Sequence, residues 1–228
     1  MPDSFAAIKS VTTMKHLQDI ETWERRDNYF FMRDFQNSWY SVTTEVDCTK
    51  AWKESKAHHS SFFIRYLYAL MRAVNEVKEM KYRKDKDGRV CWFDRIDATV
   101  PVAVPDGTFY TVRVPYIEDY DAFYGKVKTI ITSIPTDGDP YGVNKEIIEQ
   151  GDMDVVNISA TPKLYFTSVT YTFFKPQLGS HWPLLNVGKA VQREGRMVMP
   201  LGFYVDHSFV DGANLSEVMT LMQQYLDL

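Results

Sequence analysis

Apolar residues recur with a helical period along FFIRYLYALMRAVNEV, where Phe63, Leu67, Leu70, Met71 and Val74 fall on one stripe. Ser60 or Ser61 stands where a cap belongs, so the pattern predicts a long amphipathic helix there. Upstream, residues 19–36 (DIETWERRDNYFFMRDFQ) set Trp23, Asn28, Tyr29, Phe30, Phe31 and Phe35 at spacings that a helix brings partly onto one side, which predicts a first helix. Between the two, WYSVTTEVDCT is rich in aromatic and β-branched residues and reads as a strand.

Beyond the long helix the pattern changes to short strand-like runs broken by turn residues. KYRKDKDGRVCWF turns at Asp87-Gly88, and ATVPVAV and TFYTVRV are joined by Pro105-Asp106-Gly107, so both read as hairpins. A helix over about 118–133 and a polar loop containing Pro140 follow. VVNIS, LYFTSVTYTFF, LLNVGKAVQ and RMVMPLGFYVDH are strand candidates, the last two linked by Arg193-Glu194-Gly195, and NLSEVMTLMQQYL is a terminal helix. Strands outnumber helices and most connections are tight, which predicts an α+β fold with a mixed, largely antiparallel sheet covered by helices. No glycine-rich dinucleotide fingerprint or Walker loop asks for a doubly wound sheet. At 228 residues, with no repeat and no Pro/Gly/Ser-rich linker, one domain over 1–228 is expected.

Composition narrows the function. A net charge of −4 with interspersed signs and no basic stripe argues against nucleic acid as a partner. No window approaches the uninterrupted apolar length of a membrane span, and the N-terminal residues contain no long apolar leader. Cys48 and Cys91 lie far apart without CxxC spacing, so neither a disulfide framework nor a zinc site is suggested and a cytoplasmic location is expected. No two histidines have metal-ligand spacing, and no metal is expected: His16 lies near the start, His58 and His59 precede a helix, and His181 sits in a loop.

His207 stands apart from these. The stretch YVDHSFVDGAN delivers it at the end of an apolar run and then turns at Asp211-Gly212 before the last helix. A strand that ends in a sharp turn presents a side chain rigidly while leaving it open to a cleft, and imidazole is the natural general base for taking a proton from a hydroxyl or thiol at neutral pH. The plain alternative is a structural histidine at a strand end.

His207-x-x-x-Asp211-Gly212, between an apolar strand and a terminal helix, resembles the signature of the type A chloramphenicol acetyltransferase family. Trp23-Glu24-Arg25-Arg26, Val46-Asp47-Cys48-Thr49, Asn157-Ile158-Ser159-Ala160, Gly195, Met199-Pro200-Leu201 and Gln223-Gln224-Tyr225 follow the family pattern in order, from about residue 16 to the C-terminus. The resemblance implies a two-layer sandwich fold and an acetyl-CoA-dependent O-acetyltransferase that acts on a small molecule bearing a hydroxyl group. It implies that His207 is the general base, that Ser159 donates to the oxyanion, and that Asp211 pairs with Arg25 to fix the turn. Phe31, Met32, Ser38 and Tyr40 fall in the acceptor region, and Lys189 and Lys163 in the coenzyme region. A homotrimer with active sites at subunit interfaces is also implied.

Several positions depart from the family. Asp206 precedes the base where a second histidine is usual, and Ala213-Asn214 follows Asp211-Gly212 where Phe-His is usual; both forms look more like dihydrolipoyl acyltransferase cores. Met32, Ser38, Lys163 and Asn186 replace a typical tyrosine, cysteine, tryptophan and threonine. The expectation is acetyl transfer with chloramphenicol as a poorer acceptor. The alternatives are a dihydrolipoyl acyltransferase-like core and a non-catalytic trimeric binding protein of the same fold.

Overall fold

A computed structural model describes residues 13–134, 137–151, 153–172 and 182–228. Its frame is a seven-stranded mixed sheet. In spatial order the main path runs β2 (Trp39–Asp47), β10 (Arg196–Asp206), β8 (Leu184–Gly188), β7 (Val155–Thr161), β5 (Asp97–Ala103) and β6 (Phe109–Val114), with β9 (Val191–Arg193) beside the start of β10. The β5–β7 and β7–β8 pairs are parallel and the rest antiparallel. A small sheet of β1 (Lys15–Leu17), β4 (Val90–Phe93) and β3 (Tyr82–Lys84) lies apart from it.

Alternation along the strands sends successive side chains to opposite faces. One face carries Ile158, Leu185, Val187, Leu201, Phe203 and Val205 into the main core. There they join Leu67, Leu70 and Val74 of α3 (Phe62–Glu76) and Leu215, Val218 and Met222 of α6 (Gly212–Leu226). The Ser61 hydroxyl caps α3 by accepting from the Ile64 N–H at 3.3 Å. Asp119 caps α4 (Tyr120–Thr132) through the Ala122 N–H at 2.8 Å. The opposite face is polar and small: the register puts Ser159, Asn186 and Gly202 in one row across β7, β8 and β10.

The turns follow the sequence closely. Glu194 and Gly195 both take positive φ (49° and 80°), the pair of left-handed residues that a tight β9–β10 hairpin needs. Pro200, with no N–H to donate, falls between the last β9 pairing at Val198 and the first β8 pairing at Leu201, where a central strand tolerates it. Cys48 and Cys91 are buried free thiols, and among the described residues no helix is long and apolar enough to cross a membrane.

Several elements differ from the pattern-based expectation, among them β1, which the pattern does not predict, and LLNVGKAVQ, which divides into β8 and β9. The first helix, α1, is confined to Arg26–Met32, because Trp23 leaves the helical path to pack in an aromatic cluster with Tyr29, Tyr82 and Phe209. Two further helices form, α2 (Thr49–Ala57) and α5 (Gly142–Gln150). The buried residues of α2 are Ala51 and Ser55, and α5 buries Ile147 alone, so neither displays an apolar stripe. Within LYFTSVTYTFF, residues 164–172 form no strand; Phe166, Val169 and Tyr171 instead lie across the polar sheet face, against Gly188 and Gly202. A Cβ on Gly202 would stand 2.3 Å from Val169 Cγ1, and one on Gly188 would stand 2.8 Å from Phe166 Cε1. Those glycines are required by close approach. Phe173, Phe174 and His181 lie outside the described residues.

Candidate active site

Strand β10 ends in a corner built by Asp206. Its carboxylate accepts the Ser208 N–H at 2.9 Å, and its carbonyl accepts the N–H groups of Phe209 and Val210 at 3.0 and 2.9 Å, so the chain folds back at once. Asp206 is buried, and its place in the site is that of a turn former. His207 occupies the corner. Its N–H donates to the Ser38 carbonyl at 2.8 Å, and its own carbonyl accepts the Asn28 Nδ2–H at 2.9 Å. Its imidazole packs on the Tyr40 ring, with centroids 4.6 Å apart, and Nδ1 is buried without a hydrogen-bond partner. The residue as a whole remains partly exposed.

The corner is held from two sides. Asp211 is the N-cap of α6: its Oδ1 accepts the Ala213 and Asn214 N–H groups at 2.9 and 3.3 Å, and Asn214 Oδ1 accepts the Asp211 N–H at 2.9 Å, which completes a capping box. Asp211 Oδ2 accepts from Arg25 Nη1 at 3.0 Å, so Arg25 ties the residue before α1 to the cap of α6. Tyr40 closes the other side, its hydroxyl donating to the Val210 carbonyl at 3.4 Å. Burial, aided by the Asp211 charge, pushes the Tyr40 phenol up to about 12, so it stays neutral.

Burial raises the Asp211 carboxyl, but the Arg25 guanidinium and the two capping N–H groups outweigh it and hold it below the usual carboxylate range. A depressed folded value means that the stabilisation is fully present above the unfolded carboxyl range and is lost as pH falls through the folded one. Asp211→Asn keeps the cap shape and removes the charge. It is expected to cost about 1 kcal/mol or less, given the solvent screening of a pair this exposed, and to lower activity with it. The stability gap to the native chain should close below about pH 4. A double-mutant cycle with Arg25→Ala, read by urea denaturation and turnover, checks the pair, and strictly additive effects would contradict it.

The remaining site residues separate into two groups. Ser38 and Tyr40 touch His207 directly, through the Ser38 carbonyl and the Tyr40 ring, while Phe31, exposed and edge-on to Phe35 at 5.2 Å, and Met32 lie on α1, whose Asn28 reaches the His207 carbonyl. Ser159, half-buried on β7, belongs to the polar sheet face, and Lys163 and Lys189 are exposed beside its end. Leu164 N–H donates to the Thr161 carbonyl at 3.0 Å, and Lys189 N–H donates to the Leu164 carbonyl at 2.8 Å, which keeps the two lysine-bearing turns together. Asn186 shares this face and its Oδ1 accepts from Thr161 Oγ1 at 3.1 Å.

The register measures how far apart the groups are. Gly202 pairs with Asn186, and Asn186 with Ser159. Ser159 therefore lies two strands across, about 10 Å, and about five residues back along β10, about 17 Å, from His207. Ser159 also sits on the face opposite the helices, whereas the His207 ring packs on Tyr40, which joins the helix-side core. Within one chain no acyl carbonyl can touch both side chains.

Asn28 was not singled out from the sequence as a site residue. The signal was present: Arg25 and Asn28 are three residues apart, so on a helical path an Arg25 that meets Asp211 carries Asn28 toward the same turn.

The sequence profile of the family described as chloramphenicol acetyltransferase matches residues 14–223. The chain is 25% identical over 211 residues to chloramphenicol acetyltransferase 3 of Escherichia coli, covering 90% of this chain and 94% of that protein. A solved structure of a chloramphenicol acetyltransferase is 47% identical, with a TM-score of 0.89 over 93% of this chain and 100% of the other. A solved probable dihydrolipoamide acetyltransferase from Listeria monocytogenes shares the fold at TM-score 0.58 and 14% identity, over 92% and 94% of the two chains.

Proposed function

The chain belongs to the chloramphenicol acetyltransferase family and is an acyltransferase, and from that premise we propose that it transfers acetyl from acetyl-CoA directly to a hydroxyl group of a small molecule. His207 takes the hydroxyl proton as the oxygen attacks the thioester carbonyl. Ser159 donates a hydrogen bond to the oxyanion that forms, a contribution worth about 3 kcal/mol of barrier. Collapse of the tetrahedral species breaks the carbon–sulfur bond, and the departing CoA thiolate regains the proton from the imidazolium. No acyl-enzyme forms. Lys163 and Lys189 offer exposed ammonium groups to the anionic coenzyme beside Ser159.

The observation that carries this reading is the fixed His207 corner together with its distance from Ser159. It supports a homotrimer in which His207 of one subunit meets Ser159 of its neighbour, since a second copy is the available source of the missing group.

Release of free CoA thiol, measured across chloramphenicol, lipoamide and hydroxylated metabolites, tests the acceptor class. Transfer to hydroxyls is expected. Transfer to lipoamide alone would favour the dihydrolipoyl acyltransferase reading, and no transfer at all would favour a binding protein. Chloramphenicol itself is expected to be a weak acceptor, with kcat/KM below about 10⁵ M⁻¹s⁻¹. Met32 adapts to several shapes and specifies none sharply, and Ser38 and Lys163 change the polarity of an otherwise aromatic site. A value above that threshold would show that the three residues are tolerated.

A further inference from the structure

Tyr171 sits on the polar sheet face with its ring fixed and its hydroxyl unspent. The ring stacks on Tyr204 with centroids 5.4 Å apart and planes 14° off parallel. The hydroxyl is buried and has no hydrogen-bond partner among the described residues. Gly202 makes room for it: a Cβ there would stand 2.6 Å from the Tyr171 hydroxyl oxygen. Gly202 faces the same side as Asn186 and Ser159, its partners in the row across β10, β8 and β7. The hydroxyl therefore looks onto the face that carries Ser159, about two strand spacings or 10 Å away.

A buried donor left unpaired is unfavourable, and such groups normally find a partner in the protein, in water or in a ligand. We propose that the Tyr171 hydroxyl determines acceptor specificity by donating a hydrogen bond to an oxygen of the acceptor other than the one that is acetylated. This rests on the acetyltransferase reading above. The spacing from Ser159 suits a molecule whose reacting hydroxyl lies at one end and whose second oxygen lies at the other. Burial raises the phenol, so the group remains a donor at working pH. The chemistry selected is an alcohol that also carries a carbonyl, nitro or similar accepting oxygen. A simple apolar alcohol would leave the donor unpaired.

Tyr171→Phe removes the hydroxyl and keeps the stacked ring. Chloramphenicol, which carries amide and nitro oxygens besides its hydroxyls, is the probe, and 3-phenylpropan-1-ol, which has no second oxygen, is a competing ligand. In Tyr171→Phe the KM for chloramphenicol should rise about tenfold, the loss of one hydrogen bond. Its kcat should stay within about twofold, and the inhibition constant of 3-phenylpropan-1-ol should be unchanged. An unchanged KM for chloramphenicol would overturn the Tyr171 contact. An equal weakening of both ligands would also overturn it, because Tyr171 would then only shape the cavity. Should the native enzyme transfer acetyl to no hydroxyl compound, this inference and the acetyltransferase reading fall together.

Discussion

His207→Ala is expected to lower kcat by about 10²–10⁴-fold, the contribution of a positioned general base, while the protein stays folded. The reason the two effects separate is geometric. Both hydrogen bonds that fix the corner at this position, to the Ser38 carbonyl and from Asn28 Nδ2, run through the His207 backbone and survive the substitution. The imidazole itself contributes a ring contact with Tyr40, so its loss should change thermal stability little. Acetyl-CoA affinity should also persist, since Lys163 and Lys189 lie with Ser159 on the other sheet face. Turnover by single-turnover thiol release and melting by circular dichroism check the two halves separately. Native turnover in a folded His207→Ala protein would remove His207 from the mechanism.

What could be read from the sequence was whatever the local pattern encodes. The α3 stripe, the Asp87-Gly88 and Glu194-Gly195 turns and the strand that delivers His207 each follow from residues close together in the chain. The Arg25–Asp211 contact spans the whole chain and was reached by resemblance. Residues 164–172 escaped because their aromatic and β-branched side chains pack on a sheet face instead of joining its ladder, and composition alone does not distinguish the two uses. Helix α2 escaped because small residues, Ala51 and Ser55, make its buried face. Asp206 stands out in the sequence only as a departure from a usual histidine, and its structural use, a carboxylate oxygen engaged by the Ser208 N–H, depends on how the chain folds back after the strand. The division of the site residues between two sheet faces depends on strand order: β10 beside β8 and β8 beside β7 is a crossover topology that no window of sequence displays.

In the proposed homotrimer, that division makes the second large effect a property of pairs of chains. Ser159→Ala should lower kcat by roughly 10²-fold with much less change in KM, because its hydrogen bond strengthens as charge develops on the carbonyl. Alone, then, both Ser159→Ala and His207→Ala proteins are poor enzymes. In the proposed homotrimer, co-expression with different affinity tags and purification through both should yield trimers that contain each chain at least once. If His207 from one subunit works with Ser159 of the next, every such mixed trimer has one interface carrying both native residues and another carrying both alanines. About one in three of its sites should then regain native turnover, as follows from threefold closure of a head-to-tail contact. If instead each site were built within a single chain, mixing would leave activity at the average of the two mutants. The sheet register, which separates the two residues by more than either side chain can span, makes the first outcome the expected one. Activity that stays at the mutant average in verified mixed trimers would require His207 and Ser159 to act in separate places, and the direct-transfer mechanism would lose its oxyanion donor.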